Sequence, residues 1–480
     1  MTWAGGDVRS ESGGPGGLAD PVPGGRPGDV ELAEELSARL AGAGVKGIAF
    51  CYVDTAGITR VKGVATAALA AAARWGVGMS PIFDIMLADG SIPPADRLGG
   101  PVGDLRLYPD LGQLTALAGQ PGWAWAPLDR IEQGGSVHPG CSRTLLRHLQ
   151  SRLQDEGLDF QAAIEIEFVL ARGDTPADEF VPACGGPAYG MTRMIEMAAF
   201  TEDLLAALAT QGTEVHQLHP EYAPGQFELS VGALDPVRAA DRSVVVRQTV
   251  RAIAGRHALR VSFAPSVVAG EVGNGGHVHL SAWRDGVNLF AGGSGRYGLT
   301  GAGEGMAAGV LEALPALAVL ATPSPSSFLR LGPTRWSGAY GCWGYENREA
   351  ALRLVRGSIG QQADAANIEV KCADLAANPY LLLAGLLFAA RDGLTRGLKL
   401  PAEVTVDPAC LSHEELARDE IRRLPTTMTQ ALDEFARRPD LQACLGPTLT
   451  EAIVAVRRGE AARMADAEPA AVAAAYRWVY

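Results

Sequence analysis

Apolar residues fall at helical spacing through Val30–Ala41 and stop at Gly42 and Gly44, which predicts a first helix followed by its breakers. The period then changes. Gly47–Val53 is an apolar run rich in strand formers, Asp54–Gly57 has turn composition, and Ile58–Val64 follows as the returning strand of a hairpin. Strand-like segments at Ile82–Met86 and Asp104–Leu107 lie between Gly and Pro residues, so the chain to about residue 130 reads as a small, mostly β unit. Beyond it, Ser142–Glu156 is helical in period, Phe160–Leu170 reads as one strand and Met194–Thr210 as one long helix. Gln226–Val231 and His277–Trp283 predict strands on either side of an Arg-bearing helix, Pro236–Gly255. Leu311–Leu320, Pro379–Gly393, Thr427–Arg437 and Leu449–Met464 supply more helices, and the larger part is therefore α+β. The tail Ala470–Tyr480 is helical and carries Tyr476, Trp478 and Tyr480, an aromatic patch that needs cover, with another subunit as one source of it.

At 480 residues the chain exceeds the range of one hydrophobic core. Two domains are expected, 30–130 and 131–480, behind an arm of residues 1–29. That arm holds nine glycines and four prolines with no apolar segment, so it reads as disordered and not as a signal peptide. A formal charge of -13 argues against nucleic acid or an anionic membrane as partner, though bound metals can reverse the field locally for a phosphorylated small ligand. The seven cysteines are odd in number, widely spaced and never in a C-x-x-C pair, as expected of reduced cytosolic thiols. The most apolar stretches, Leu375–Ala390 and Met306–Thr322, are short for a membrane span and interrupted by Asn378–Pro379 and by Glu312 and Pro315. A soluble, cytoplasmic protein is expected.

Candidate chemistry sits in a few short words. Glu165 and Glu167 alternate with Ile164, Ile166 and Phe168, and on a strand they share a face. Glu228 lies between Phe227 and Leu229, with Glu221 seven residues earlier on a Pro- and Gly-flanked loop. His277 and His279 follow the Gly-rich approach Gly273–Gly276, and Asn367, Glu369 and Lys371 alternate with Ile368 and Val370. A lone charge between apolar neighbours is costly, so four such segments together imply a common counter-ion. Oxygen-dominated ligands with one or two imidazoles suit Mg²⁺ or Mn²⁺ better than structural zinc. Arg330, Arg348 and Arg353 add guanidinium forks that match a carboxylate or a phosphoryl group. No P-loop and no kinase motif set is present.

The order and spacing of these words resemble the glutamine synthetase family from about residue 35 to the C-terminus. The shared words are E-x-E, a Glu seven residues before the Glu of G-Q-x-E, H-x-H, R-L-x-P, N-R-x-x-x-x-R, and I-E-V followed by N-P-Y. The resemblance implies a small β-grasp N-terminal domain, a large catalytic domain whose antiparallel sheet is flanked by helices, and sites shared between subunits of hexameric rings, two rings making a dodecamer. It implies ATP, two to three Mg²⁺ or Mn²⁺ ions, and glutamate activated as a γ-glutamyl phosphate for attack by an amine. By position, Glu167, Glu221 and Glu228 would hold one metal and Glu165, His277 and Glu369 the other. His279 and Ser281 would contact nucleotide, Arg330 and Gly273 glutamate, and Arg348 and Arg353 phosphates. Three departures are evident. Trp336 stands where the family has a flap Glu that draws a proton from ammonium; Asn367 and Lys371 replace arginines flanking I-E-V, Lys371 in a substrate-binding position; and F-D-G-S-S is reduced to Ile82–Met86, leaving Asp84 as the candidate catalytic Asp. Loss of ammonium-handling carboxylates beside an intact ligand set points to an organic amine: alkylamine, ethanolamine or polyamine. An ammonium-using glutamine synthetase and a non-catalytic paralogue are the alternatives.

Overall fold

The computed structural model describes residues 28–100, 102–176 and 179–480, so the predicted arm lies almost wholly outside the described residues. The first helix runs Asp29–Gly42 and buries Ala33, Leu36 and Leu40, the i, i+3, i+7 stripe of its sequence, against a six-stranded sheet. That sheet contains β1 (Gly47–Val53), β2 (Thr59–Ala65), β3 (Val77–Met79), β4 (Leu105–Pro109), β5 (Thr115–Ala116) and β6 (Trp123–Ile131), in the order β2-β1-β6-β4-β3 with β5 beside β6. β1 and β2 form the predicted antiparallel hairpin, and β1 runs parallel to β6. Ile82–Met86 is not a strand: Ser80 accepts the Ile82 N–H and Pro81 follows, which winds Pro81–Asp84 into a 3₁₀ turn.

The rest of the chain builds two further sheets. Their strands are β7 (Asp159–Ile164), β8 (Ile166–Arg172), β9 (Val215–Pro220), β10 (Gln226–Val231), β11 (Leu259–Ser262), β12 (Val278–Arg284), β13 (Val287–Asn288), β14 (Tyr340–Tyr345), β15 (Ala350–Val355), β16 (Asn367–Val370) and β17 (Arg422–Arg423). One sheet has the order β11-β8-β10-β9; the other is β13-β12-β16-β15-β14-β17 with β7 on β12. All their pairings are antiparallel except β14 with β15. The apolar run Phe160–Leu170 is thus two strands, and the chain leaves one sheet for the other at Glu165. The long helix predicted at Met194–Thr210 is likewise two, Met191–Glu196 and Ala198–Thr210, divided at Met197.

Helices Gly301–Ala321 and Pro379–Arg396 pack against each other under the sheets. Gly309 and Gly393 let their backbones touch: a Cβ at Gly309 would lie 2.2 Å from the Ala389 carbonyl oxygen, so no larger residue fits that crossing. The first of these helices is long and apolar enough to cross a membrane by length and composition alone, but 83% of its most apolar window is buried inside the protein. Asn378 caps the second by accepting the N–H groups of Tyr380 and Leu381, and its amide donates to the Val53 and Asp54 carbonyls at the end of β1. Arg143 adds a second tie, with Asp110 and Asp129 on one side and Asp241 on the other. The aromatic tail is covered by its own chain and needs no second subunit. Tyr476 and Tyr480 are buried and stacked, the Tyr480 hydroxyl donates to the Ala56 carbonyl, and Trp478 lies beneath the Arg260 guanidinium.

Candidate active site

The break at Glu165 builds the site. Its N–H donates to the His277 carbonyl at 2.9 Å, which pins the end of β7 to the start of β12, and β8 then departs into the other sheet. Glu165 and Glu167 are therefore not neighbours on one pleated face; each stands at the edge of a different sheet where the two meet. Register does the rest. Across one sheet Arg353 faces Glu369, which faces His279; across the other Glu167 faces Glu228, which faces His219.

The side chains close into two groups. Glu165 accepts from both imidazoles, His277 Nδ1 at 2.9 Å and His279 Nε2 at 3.1 Å, and Glu369 Oε1 lies 3.5 Å from His277 Nδ1. Glu369 is itself held by Arg353 and Lys371, each at 3.0 Å. In the second group His219 sits 3.4 Å from both Glu221 and Glu228, and the Tyr189 hydroxyl donates to Glu221 at 2.5 Å. Gln226 stands behind them, donating to Glu167, to the Gly273 carbonyl and to Asn274. Arg330 is buried and donates to the Lys371 and Cys372 carbonyls, with one nitrogen 3.0 Å from His277 Nε2. The Gly-rich approach is tightly enclosed: a Cβ on Gly275 would lie 2.5 Å from His277 Nε2 and 2.7 Å from Glu167 Oε1.

Charge is unevenly balanced across the two groups. Burial pushes the Glu165 carboxyl up, but the hydrogen bonds from His277 and His279 outweigh it and hold it well below the ordinary range. Burial opposes the charged form of His279 too, yet Glu165 lifts it to about 9. Burial also works against Glu369, and Lys371 and His279 bring it down to about 2. In the second group burial and the neighbouring carboxylates push Glu221 up to about 7 and raise Glu228 as well. A surplus of crowded carboxylate is what a bound cation relieves. The ligating atoms of Glu165, His279 and Glu369 lie within 4.8 Å of one another, as do those of His219, Glu221 and Glu228, and such oxygen-rich sets with imidazole suit a hard divalent ion.

Two cavities meet here. One, of ≈ 410 Å³, is lined by Glu165, Glu167, Glu221, Glu228, Gly273, His277, Arg330, Trp336, Arg348, Arg353 and Lys371, eleven of the residues singled out from sequence. The other, of ≈ 440 Å³, is lined by Gln161, His279, Ser281 and Asn367, and Glu165 borders both. Glu369 lies behind the junction, and the Lys371 ammonium is spent on Glu369. Asp84 is not at either cavity. It is buried under Arg130 and His138, at 2.5 Å and 2.8 Å, as a carboxylate whose two oxygens are both taken within its own chain. Sequence reading passed over His219, Tyr189 and Tyr222. His219 was findable, because the alternation of Val215–Pro220 puts it across from Glu228 once those two strands are paired. Tyr189 and Tyr222 lie on loops, where periodicity says nothing.

The chain is similar in sequence and in fold to known proteins. The pattern described as glutamine synthetase, catalytic domain, matches residues 139–473. Gamma-glutamylpolyamine synthetase GlnA3 of Streptomyces coelicolor is 58% identical over 463 residues, 96% of this chain and 99% of that protein. Glutamine synthetase of Thermococcus kodakarensis is 30% identical over 316 residues, 66% of this chain and 70% of that one. Among solved structures, a novel glutamine synthase homolog superposes with a TM-score of 0.81 at 33% identity, covering 91% of this chain and 99% of that chain. The GmaS/ADP complex does so with a TM-score of 0.78 at 25% identity, covering 90% and 97%.

Proposed function

Because this chain belongs to the glutamine synthetase family and is an ATP-dependent ligase of that kind, we propose that it joins the γ-carboxylate of glutamate to an organic amine, an alkylamine, ethanolamine or a polyamine. The observation that carries the reading is the junction at Glu165: two donor clusters between a cavity bearing His279 and Ser281 and a cavity bearing Arg330 and Trp336. The first cavity suits the nucleotide and the second the glutamate and the amine, with the transferring phosphoryl group between them.

Glu167, Glu221 and Glu228 would hold one divalent ion and Glu165, His277 and Glu369 another, with His219 grouped closely with Glu221 and Glu228 and His279 with Glu165 and Glu369. Mg²⁺ or Mn²⁺, two to three per subunit, would supply neutralisation of phosphate oxygens there. Arg330 is rigid because backbone carbonyls hold it, and its guanidinium fits the carboxylate of glutamate. Arg353, fixed by Glu369 and Glu346, and Arg348 on the turn after β14 offer positive charge to the phosphates. A γ-carboxylate oxygen attacks the terminal phosphorus and ADP departs; the amine nitrogen then attacks the acyl carbon and expels phosphate. Trp336, which cannot accept a proton, gives the acceptor pocket an apolar face instead of a carboxylate.

The reading extends to organisation: a β-grasp N-terminal domain of residues 30–130, a catalytic domain of 131–480, a cytoplasmic homo-oligomer, and a dodecamer of two hexameric rings. The deciding experiment is phosphate release from ATP with glutamate and a panel of amines. Turnover with at least one organic amine well above that with ammonium is expected. Ammonium used far better than every organic amine would overturn the acceptor assignment and favour an ordinary glutamine synthetase.

A further inference from the structure

Three large aromatic rings stand together at the cavity that holds Arg330, and none of them is buried. Tyr189 is 51% exposed, Tyr222 36% and Trp336 43%. They are in mutual contact: Tyr222 meets Trp336 edge to face with centroids 4.9 Å apart at 85°, and meets Tyr189 at 5.4 Å and 82°. Core packing does not ask for these positions, since a half-exposed tryptophan leaves much of its apolar surface in water.

The backbone shows that Trp336 is held there against its own preference. Thr334 and Trp336 both have positive φ, 58° and 53°, a region unfavourable for a β-branched and for a bulky aromatic residue. The turn is fixed from several sides. Buried Glu349 accepts the Trp336 N–H at 2.9 Å, and Ser337 bonds both the N–H and the carbonyl of Gly332. Strain that the surroundings maintain, and that ends by setting one ring against another at a cavity mouth, is a positioning device.

We infer that the Tyr222–Trp336 pair is a cation-binding collar that holds the far, non-reacting ammonium of a di- or polyamine while the near amine reaches the acyl carbon. The inference rests on the organic-amine reading above and narrows it to acceptors with a second positive charge. Electron-rich ring faces attract an alkylammonium, and the methylene chain between two ammonium groups gains apolar contact from the same rings. The arginines on the cavity, Arg330, Arg335 and Arg348, repel a dication and its carboxylates, Glu165, Glu167, Glu221 and Glu228, are the proposed metal ligands, so the rings, with Glu221 and Arg348 beside Tyr222, are the part of the lining left to receive the second ammonium.

The test compares putrescine with butylamine, which has the same chain and no second ammonium, as acceptors for wild type, Trp336→Leu, Trp336→Phe and Tyr222→Leu, measured as glutamate- and amine-dependent phosphate release from ATP. The collar predicts that Trp336→Leu and Tyr222→Leu raise KM for putrescine about tenfold more than KM for butylamine, and that Trp336→Phe recovers part of the difference. Equal losses for both amines, or no loss for either, would overturn it, because the rings would then be apolar lining or structural. A wild type that releases phosphate with neither amine while using ammonium defeats the organic-amine reading itself, a result distinct from selective failure of the collar.

Discussion

Replacing Asp84 with alanine separates structure from chemistry at a residue whose sequence context suggests catalysis. Asp84 is 1% exposed and Arg130, its partner at 2.5 Å, is 3% exposed, so both charges are out of water. Burial alone would raise the Asp84 carboxyl; Arg130 and His138 outweigh it and hold it below the ordinary range. Removing one member of a buried pair leaves the other uncompensated and costs about 3–5 kcal/mol. The Gly140 carbonyl and the Tyr52 ring, which keep contact with the Arg130 guanidinium, place the expectation toward about 3 kcal/mol. Equilibrium urea unfolding reads this as a lower midpoint at unchanged slope. The pH dependence has a definite sign. A carboxyl held lower in the folded than in the unfolded state contributes stability above the unfolded value, near ~3.9, and loses it as pH falls through the folded one, so wild type and variant converge in acid. A variant of wild-type stability at neutral pH that has lost turnover would refute the reasoning and return Asp84 to the chemistry.

Glu228→Ala is expected to keep the fold and lose more than about tenfold of turnover at saturating Mg²⁺, seen by phosphate release; activity within that margin would mean Glu228 holds no metal. Arg330→Ala should raise KM for glutamate while nucleotide binding, followed by calorimetry, is retained, and equal loss of both would make Arg330 a structural residue. Gly275→Ala, whose new methyl would press on His277, Glu167 and Arg330, should cut turnover about 100-fold with little change in the unfolding midpoint. Light scattering at micromolar protein should show a multi-ring assembly, and a stable, fully active monomer would refute it.

Much of the site is legible in sequence because its residues interrupt apolar runs. Glu165, Glu228, His277 and Glu369 stand out for the cost of burying them, and that cost does not depend on knowing the fold. The N-terminal hairpin and the first helix are equally plain, since local turn chemistry and period decide them. What sequence hides is where an apolar run stops being one element. Phe160–Leu170 has strand composition throughout, and only the pairing of β7 with β12 and β8 with β10 decides that it breaks at Glu165. The same blindness to tertiary cover made the C-terminal aromatics look unpartnered, although Ala56, Glu460 and Arg260 of the same chain cover them. Asp84 carries the converse lesson. Its letter is plain in the sequence but its cover is not, because the partners that take both its oxygens, Arg130 and His138, lie 46 and 54 residues away.

The break at Glu165 also explains why the two donor groups must act together. A single continuous strand would have placed Glu165 and Glu167 on one face of one sheet, able to serve one ligand between them. Ending β7 at Ile164 and starting β8 at Ile166 assigns one carboxylate to the row that includes His279 and Glu369 and the other to the row that includes Glu228 and His219. The junction of two sheets thereby brings carboxylates of both rows, Glu165 and Glu167 among them, to one cavity, and Glu165 borders the second cavity as well. The covalent chain and the Glu165 N–H bond to His277 fix the two rows relative to each other. On the proposed assignment, a phosphoryl group passing between the cavities crosses a distance that the backbone fixes, which is the preorganisation a transfer reaction requires.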